Sequence, residues 1–235
     1  MQNPEAPTKA ERLNDDSWQL TTAICLAGTA GAIWKGRTSL PALALGSISG
    51  VLYEELLEWA DHGWLQSQPV EGFEYFRWRH GRHHKRPEQH HALQPATIWV
   101  PVVTMLLSPV LVASRARKST TRSAGCGVVA GFLLAHVTLN IEHYDIHAAH
   151  KIVPNYIRTT YYYREIERIH LAHHGGAESR IYGITNPWLD MLLDRLGAPS
   201  GMDRIFGSIG RFSRKLDPVW LKLDPTWRAV SKSDR

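Results

Sequence analysis

Four stretches of this chain contain no Asp, Glu, Lys or Arg: Trp18 to Trp34, Leu40 to Tyr53, Ile98 to Ser114 and Ala124 to Ile141. A helix in a water-soluble bundle carries a polar stripe opposite its buried face, so four complete exclusions of charge fit poorly there. Each run is near or below the ~20 residues that a perpendicular spanning helix needs. Trp18 and Trp34 flank the first run, as interfacial anchors do. The expected fold is all-α: an integral-membrane bundle of about four transmembrane helices. The short connections, residues 35–39 and 115–123, pair the runs into two hairpins. Each hairpin returns the chain to the side from which it came, so the two long polar blocks that follow share one side.

The 235 residues suit one domain with a modest appendage. We expect a polar N-terminal segment over 1–17, a single membrane-embedded domain over 18–196 and a basic C-terminal tail over 197–235, with Trp220 and Trp227 in the tail. The first residues, Met1 to Asp16, are polar and mixed in charge, so no secretory signal is expected. Cys25 and Cys126 both lie in apolar runs, where cysteine acts as a small buried hydrophobe; no disulfide is expected.

A net charge of +5 points to an anionic partner. In Arg77-Trp78-Arg79-His80-Gly81-Arg82-His83-His84-Lys85-Arg86, basic and aromatic residues interleave as they do in single-strand nucleic-acid binders. No nucleic-acid motif accompanies that segment, and the uncharged runs would have no role in such a protein. The expectation is therefore no nucleic acid. Arg77, Arg79, Arg82, Lys85 and Arg86 instead place the polar blocks on the cytoplasmic side of the membrane, although Arg115, Arg117, Lys118 and Arg122 fall in the opposite loop.

Those polar blocks carry the chemistry. Histidine recurs at helical metal-ligand spacing in three places: His80-Gly-Arg-His83-His84, His143-Tyr-Asp-Ile-His147 and His170-Leu-Ala-His173-His174. Residues three and four apart share a helix face, so each segment presents its imidazoles together. Eight such histidines, with His62 beside them, are too many for one tetrahedral ion and suit two metals. The last segment lies on a helix expected over Tyr161 to His174, stopped by Gly175-Gly176, and a short amphipathic helix is expected over Asn186 to Leu196.

Two apolar runs also end in polar stripes. His136, Asn140, His143, His147 and His150 step along one face, and Glu54, Glu58 and His62 recur every four residues with Asp61 beside them. Glu58 is a further candidate ligand, because carboxylates mixed with imidazoles favour iron or manganese. Asp61, His136, Asn140, Glu142 and Asp190 are candidate partners for the outer N–H groups of ligating imidazoles. The plain alternative for Glu54, Glu55, Glu58 and Asp61 is neutralisation of nearby arginines.

The order of these motifs resembles the fatty acid hydroxylase superfamily of integral-membrane di-metal enzymes, which includes fatty acid 2-hydroxylases, sterol desaturases and carotene hydroxylases. His80-Gly-Arg-His83-His84-Lys-Arg-Pro, Glu142-His143-Tyr144 with His147, and His170-x-x-His173-His174 followed by Tyr182-Gly183-Ile184-Thr185 and Trp188-Leu-Asp190 carry the resemblance, which covers roughly Leu52 to Leu196. It implies two iron ions that activate dioxygen on the cytoplasmic side of the membrane, zinc being able to replace them in isolated protein. It implies His62, His80, His83, His84, His143, His147, His170, His173 and His174 as the ligands. One position departs: where the family opens with a paired-histidine motif, Glu58 stands four residues before His62.

The implied activity is a membrane monooxygenase that hydroxylates a C–H bond of a lipid, whether an acyl, sterol or isoprenoid chain. A lipid desaturase would use the same site, and a non-catalytic, zinc-stabilised membrane protein is the alternative from another class. No flavin or dinucleotide fingerprint is present, so electrons would come from a separate reductase with a ferredoxin or haem carrier.

Overall fold

The computed structural model describes residues 9–60, 62, 80–81, 83–85, 115–148, 151–175 and 187–196. The third uncharged run, Ile98 to Ser114, and the basic tail over 197–235 lie outside the described residues. Among the described residues all regular structure is helical. The chain falls into two compact units, one formed by residues 1–56 and 88–163 and the other by residues 57–87 and 164–235.

The first unit is built on three long helices: α1 (Lys9–Gly36), α2 (Leu40–Ala60, within this unit as far as Leu56) and α3 (Ser119–His147). Helix α1 begins well before the apolar run, because Lys9 to Leu13 are strong helix formers that extend it into polar sequence. A turn at Arg37 to Ser39 reverses the chain, and the Ser39 carbonyl accepts the first α2 hydrogen bond from Leu43 N–H at 2.9 Å. The Arg37 guanidinium lies 3.2 Å from the centre of the Trp34 ring, a cation–π contact at the helix end. Thr38 ties this turn to the start of α3 through the hydroxyls of Ser123 at 3.0 Å and Ser119 at 3.3 Å.

Small residues set the directions of these helices. Gly46 and Gly50 of α2 lie against the backbone at Ala124 and Val128, while Gly127 and Gly131 of α3 lie against the backbone at Leu43 and Ser47. Both residue numbers rise together, so α2 and α3 run parallel. Gly28 faces Leu133 and Gly36 faces Cys126, numbers that run in opposite senses, so α1 is antiparallel to α3. At Gly50 and Gly131 an added methyl would overlap a carbonyl oxygen of the facing helix. Such close backbone approach is how helices associate where no water is expelled between them.

Helix α2 exposes apolar residues and buries acidic ones. Glu54 is 3 % exposed and Glu55 and Asn140 are also buried, whereas Leu45, Ile48, Leu52 and Leu56, spaced three or four apart along α2, point outward, with Leu45 68 % exposed. Helices α2 and α3 are long and apolar enough to cross a membrane by length and composition. Of the apolar window, 22 % is buried in α2 and 56 % in α3.

Beyond α3, a buried carboxylate organises the turn. Asp145, fully enclosed, accepts hydrogen bonds from Ile152 N–H and Val153 N–H through Oδ1 and from the Tyr163 hydroxyl through Oδ2, with Arg158 Nε 3.7 Å away. Lys151 Nζ donates to the Asp145 and Ile146 carbonyls, closing the C-terminus of α3 with a cation. The single turn α4 (Asn155–Arg158) follows, and Thr160 caps α5 (Tyr161–His174) by accepting Tyr163 N–H at its hydroxyl.

The second unit contains the end of α2, helical residues 80–81 and 83–85, most of α5, and α6 (Pro187–Arg195). Helix α5 is amphipathic, with Ile166, Ile169 and His170 buried and Arg164, Arg168 and Leu171 exposed. Helices α5 and α6 fall where the periodicity places them.

Gly131→Leu should destabilise the protein by roughly 1–3 kcal/mol or more, whereas Leu45→Ala on the outer face of α2 should leave unfolding in detergent nearly unchanged. Equal shifts in the two melting curves would refute this packing. Asp145→Asn, which leaves the buried N–H and hydroxyl donors with a weaker acceptor, should cost about 3 kcal/mol, measured by the same thermal unfolding.

Candidate metal centre

Seven of the histidines lie in the second unit, delivered by three pieces of chain: His62 just beyond α2, His80, His83 and His84 from the helical stretch, and His170, His173 and His174 from the last turns of α5. Spacing of three and four turns each set onto one face. His62, His80 and His170 are buried, and His83, His84, His173 and His174 are half-buried.

They gather into two sets. In the first, His62, His80, His84 and His173 bring one nitrogen each within 4.8 Å of all the others. The Nε2 atoms of His62 and His173 are 3.3 Å apart, as are those of His80 and His173, and those of His80 and His84 are 2.7 Å apart. Metal–nitrogen bonds of about 2.0–2.1 Å at tetrahedral angles place neighbouring nitrogens about 3.3–3.4 Å apart. The first two separations match that edge, and the rings cross steeply, His62 against His80 at 79° and His84 against His173 at 83°. Crossed rings aimed nitrogen-first at one point are a ligand arrangement rather than a stack.

In the second set, His83, His170 and His174 also lie within the same reach of one another. His170 and His174 hold their Nε2 atoms 3.1 Å apart, and the His83 and His174 rings are 4.7 Å apart at 84°. The residues present therefore fit metal ions, with imidazole donors suited to iron or zinc.

Electrostatics favour the ligating form. Burial holds the His80 imidazole well below its usual pKa, and the neighbouring His84, His173 and His174 lower it further. Burial, then His84, pushes His173 down to about 4, and burial lowers His84. Neutral imidazoles keep the lone pair that a metal needs, because a protonated ring cannot ligate.

In the first unit, His143 and His147 sit one turn apart on α3, half-buried, with ring centres 5.1 Å apart. His136 Nδ1 meets Glu54 Oε1 at 3.0 Å, pairing this carboxylate with an imidazole. Asn140 donates to the His136 carbonyl at 2.6 Å, a bond within α3 that takes one of its donors. Glu142 is buried. In the second unit Glu58 is buried on α2, and the set formed by His62, His80, His84 and His173 does not include it. Asp61 and the side chain of Asp190 lie outside the described residues.

Asp145, the buried anchor of the turn after α3, stands between the candidate ligands His143 and His147 and escapes a reading of sequence alone. Its partners are Ile152, Val153, Arg158 and Tyr163, and no local pattern announces them. The facing Gly46-x-x-x-Gly50 and Gly127-x-x-x-Gly131 pairs do leave a signal, small residues four apart inside charge-free runs, although histidine and charge spacing do not reveal it.

Comparison with known protein families, with curated proteins and with solved structures finds no match to this chain.

The depressed histidine pKa values carry a sign. The unfolded chain takes up protons near pH 6.5, while folded His173 resists protonation until about pH 4. The metal-free protein should therefore keep its stability above pH 6.5 and lose it progressively as the pH falls toward 4. Melting temperature in chelator, followed from pH 7.5 to 4.5, should decline across that window, and His173→Gln should flatten the decline; a flat wild-type profile would contradict the buried neutral cluster.

Proposed function

We propose that this chain is a membrane di-iron oxidoreductase that uses dioxygen to hydroxylate a C–H bond of a lipid chain. The observation that carries the reading is the pair of imidazole sets in the second unit, four nitrogens in one and three in the other, buried enough to remain neutral. Two neighbouring sets suit two ions better than one. The resemblance of the motifs supplies His143 and His147 as the remaining ligands, with Glu58 standing where the family has a histidine.

Iron held by imidazoles would supply redox cycling and dioxygen activation, which zinc does not. The protein's part is to position and to exclude. Helix α5 and the stretch around His80 hold their rings by i, i+3 and i+4 spacing. Glu54 fixes the orientation of His136 at the inner end of the apolar run. Outward-facing leucines of α2 and the uncharged length of α3 support insertion in a bilayer, where a lipid chain reaches the site without passing through water. The excess of Arg and Lys around the histidines favours the cytoplasmic side. Electrons would come from a separate reductase.

A desaturase reading shares every one of these residues and differs in product. The zinc reading also has a specific observation in its favour: four histidines gather their nitrogens in one set, and two of the separations match a tetrahedral edge.

Cells expressing the protein under isotopically labelled dioxygen should accumulate a lipid carrying one labelled oxygen. Loss of two hydrogens without label would establish the desaturase, and full zinc occupancy after iron-replete anaerobic purification, with no dioxygen consumed, would establish the structural site. His83→Ala and His173→Ala should each abolish product while the protein still fractionates with membranes; undiminished product from either variant would sink the ligand assignment.

A further inference from the structure

Between the end of α3 and the first turn of α5, the first unit presents a surface to which the histidine sets give no role. Val153 and Tyr163 are buried there, and both are bound to the Asp145 carboxylate, through the Val153 N–H and the Tyr163 hydroxyl. Every residue between these two pins, Pro154 to Tyr162, is exposed or half-buried. Much of what turns outward is large and apolar: Tyr156 is 74 % exposed and Tyr161 76 %, with Ile157 exposed between them and Ile152 just before. Single exposed hydrophobes are ordinary, but several in one short segment mark an interaction surface. The backbone of this segment is bonded within itself. Ile157 and Arg158 N–H donate to the Pro154 carbonyl, Thr159 N–H to that of Asn155 and Thr160 N–H to that of Ile157. The Thr159 and Thr160 hydroxyls donate to the Tyr156 and Ile157 carbonyls.

Polar backbone groups that are already bonded to one another lose little when a segment leaves water. The side chains suit one environment in particular. Tyrosine combines an apolar ring with a hydroxyl that keeps contact with water, so it collects where hydrocarbon meets lipid headgroups. From Lys151 to Tyr163 there are two cations, Lys151 and Arg158, and no Asp or Glu. Asp145 offsets Arg158, which leaves a modest positive charge that an anionic headgroup layer complements. The segment also begins just past His147, the last residue of α3, a helix long and apolar enough to cross a membrane. We propose that Ile152, Tyr156, Ile157 and Tyr161 form an interfacial anchor, inserted into the headgroup layer of the bilayer at the C-terminal end of α3. Because Asp145 of α3 holds both ends of the segment, the anchor fixes the depth of the C-terminal turns of α3, which carry His143 and His147. This role depends on α3 spanning the bilayer, part of the reading proposed above, and on no chemistry at the histidines.

The test uses the full chain reconstituted in vesicles of phosphatidylglycerol and phosphatidylcholine. Tyr156→Cys, Tyr161→Cys and Leu134→Cys, each alone, carry a nitroxide label. Its depth is read by electron paramagnetic resonance from collisions with dioxygen, which concentrates in hydrocarbon, and with a water-soluble nickel chelate. The unsubstituted chain, whose Cys25 and Cys126 are buried, is the labelling blank. Both tyrosine-position labels should lie at headgroup depth, with an oxygen-to-nickel collision ratio several-fold above that of a label in water. The Leu134 label, on the exposed side of α3, should lie deeper, in hydrocarbon. Helical circular dichroism checks folding, and Thr159→Cys, also exposed, replaces a tyrosine variant that does not fold and should report the same depth. A deep Leu134 label with water-exposed labels at the tyrosine positions overturns the anchor alone. A Leu134 label in water removes the spanning course of α3 and the anchor with it. Labels at the tyrosine positions that are shielded from both dioxygen and nickel assign the face to a second protein chain, and that result also overturns the proposal.

Discussion

Backbone contact between α2 and α3 is the constraint on which the first unit depends. Gly50 and Gly131 place a helix against a carbonyl of its neighbour, where only hydrogen fits. Contact that close tolerates no sliding, since a shift of one residue would bring the side chain of Ser49, Val51 or Phe132 into the same space. The register then carries outward along both helices. One turn beyond Gly50 comes Glu54, and one turn beyond the facing Phe132 comes His136, so their 3.0 Å contact follows from the glycine packing. With its small residues turned inward, α2 leaves Leu45, Ile48, Leu52 and Leu56 on the outer surface.

Burial acts differently in the two units. Around the histidines it disfavours the protonated ring, and the outcome is a set of neutral imidazoles with lone pairs free to ligate. Around the carboxylates it removes the water that would otherwise solvate groups whose donor strength lies in their charge. The first environment has donors that could hold a metal ion.

Local pattern carried much of this into the sequence. Helix α5 spans the residues that its periodicity marks, because Tyr161 follows a capping Thr160 and Gly175 follows His174. The grouping of His80, His83, His84, His170, His173 and His174 was legible for the same reason: spacing of three and four is a property of a single helix. Helix ends in apolar runs were less legible. Charge-free sequence marks where a helix avoids water, whereas hydrogen bonding continues through Lys9 to Asp16 and from Ser119 to Ser123. Pairings between distant segments were least legible. Glu54 was a plausible arginine partner until α3 brought His136 to it, and Asp145 acquires its role only when Val153 and Tyr163 fold back.

The parallel course of α2 and α3 bears on how the chain could be threaded through a bilayer. Adjacent helices that run parallel cannot be joined by a short loop, and residues 61–118 must return the chain to the starting side of α3. If α2 and α3 both span, that return requires an odd number of crossings. The connection contains one uncharged run, Ile98 to Ser114. Helix α1 is antiparallel to α3, whereas α2 is parallel to it. Were α2 and α3 antiparallel, an even number of crossings would be needed instead, so helix direction limits the arrangements in which both could span.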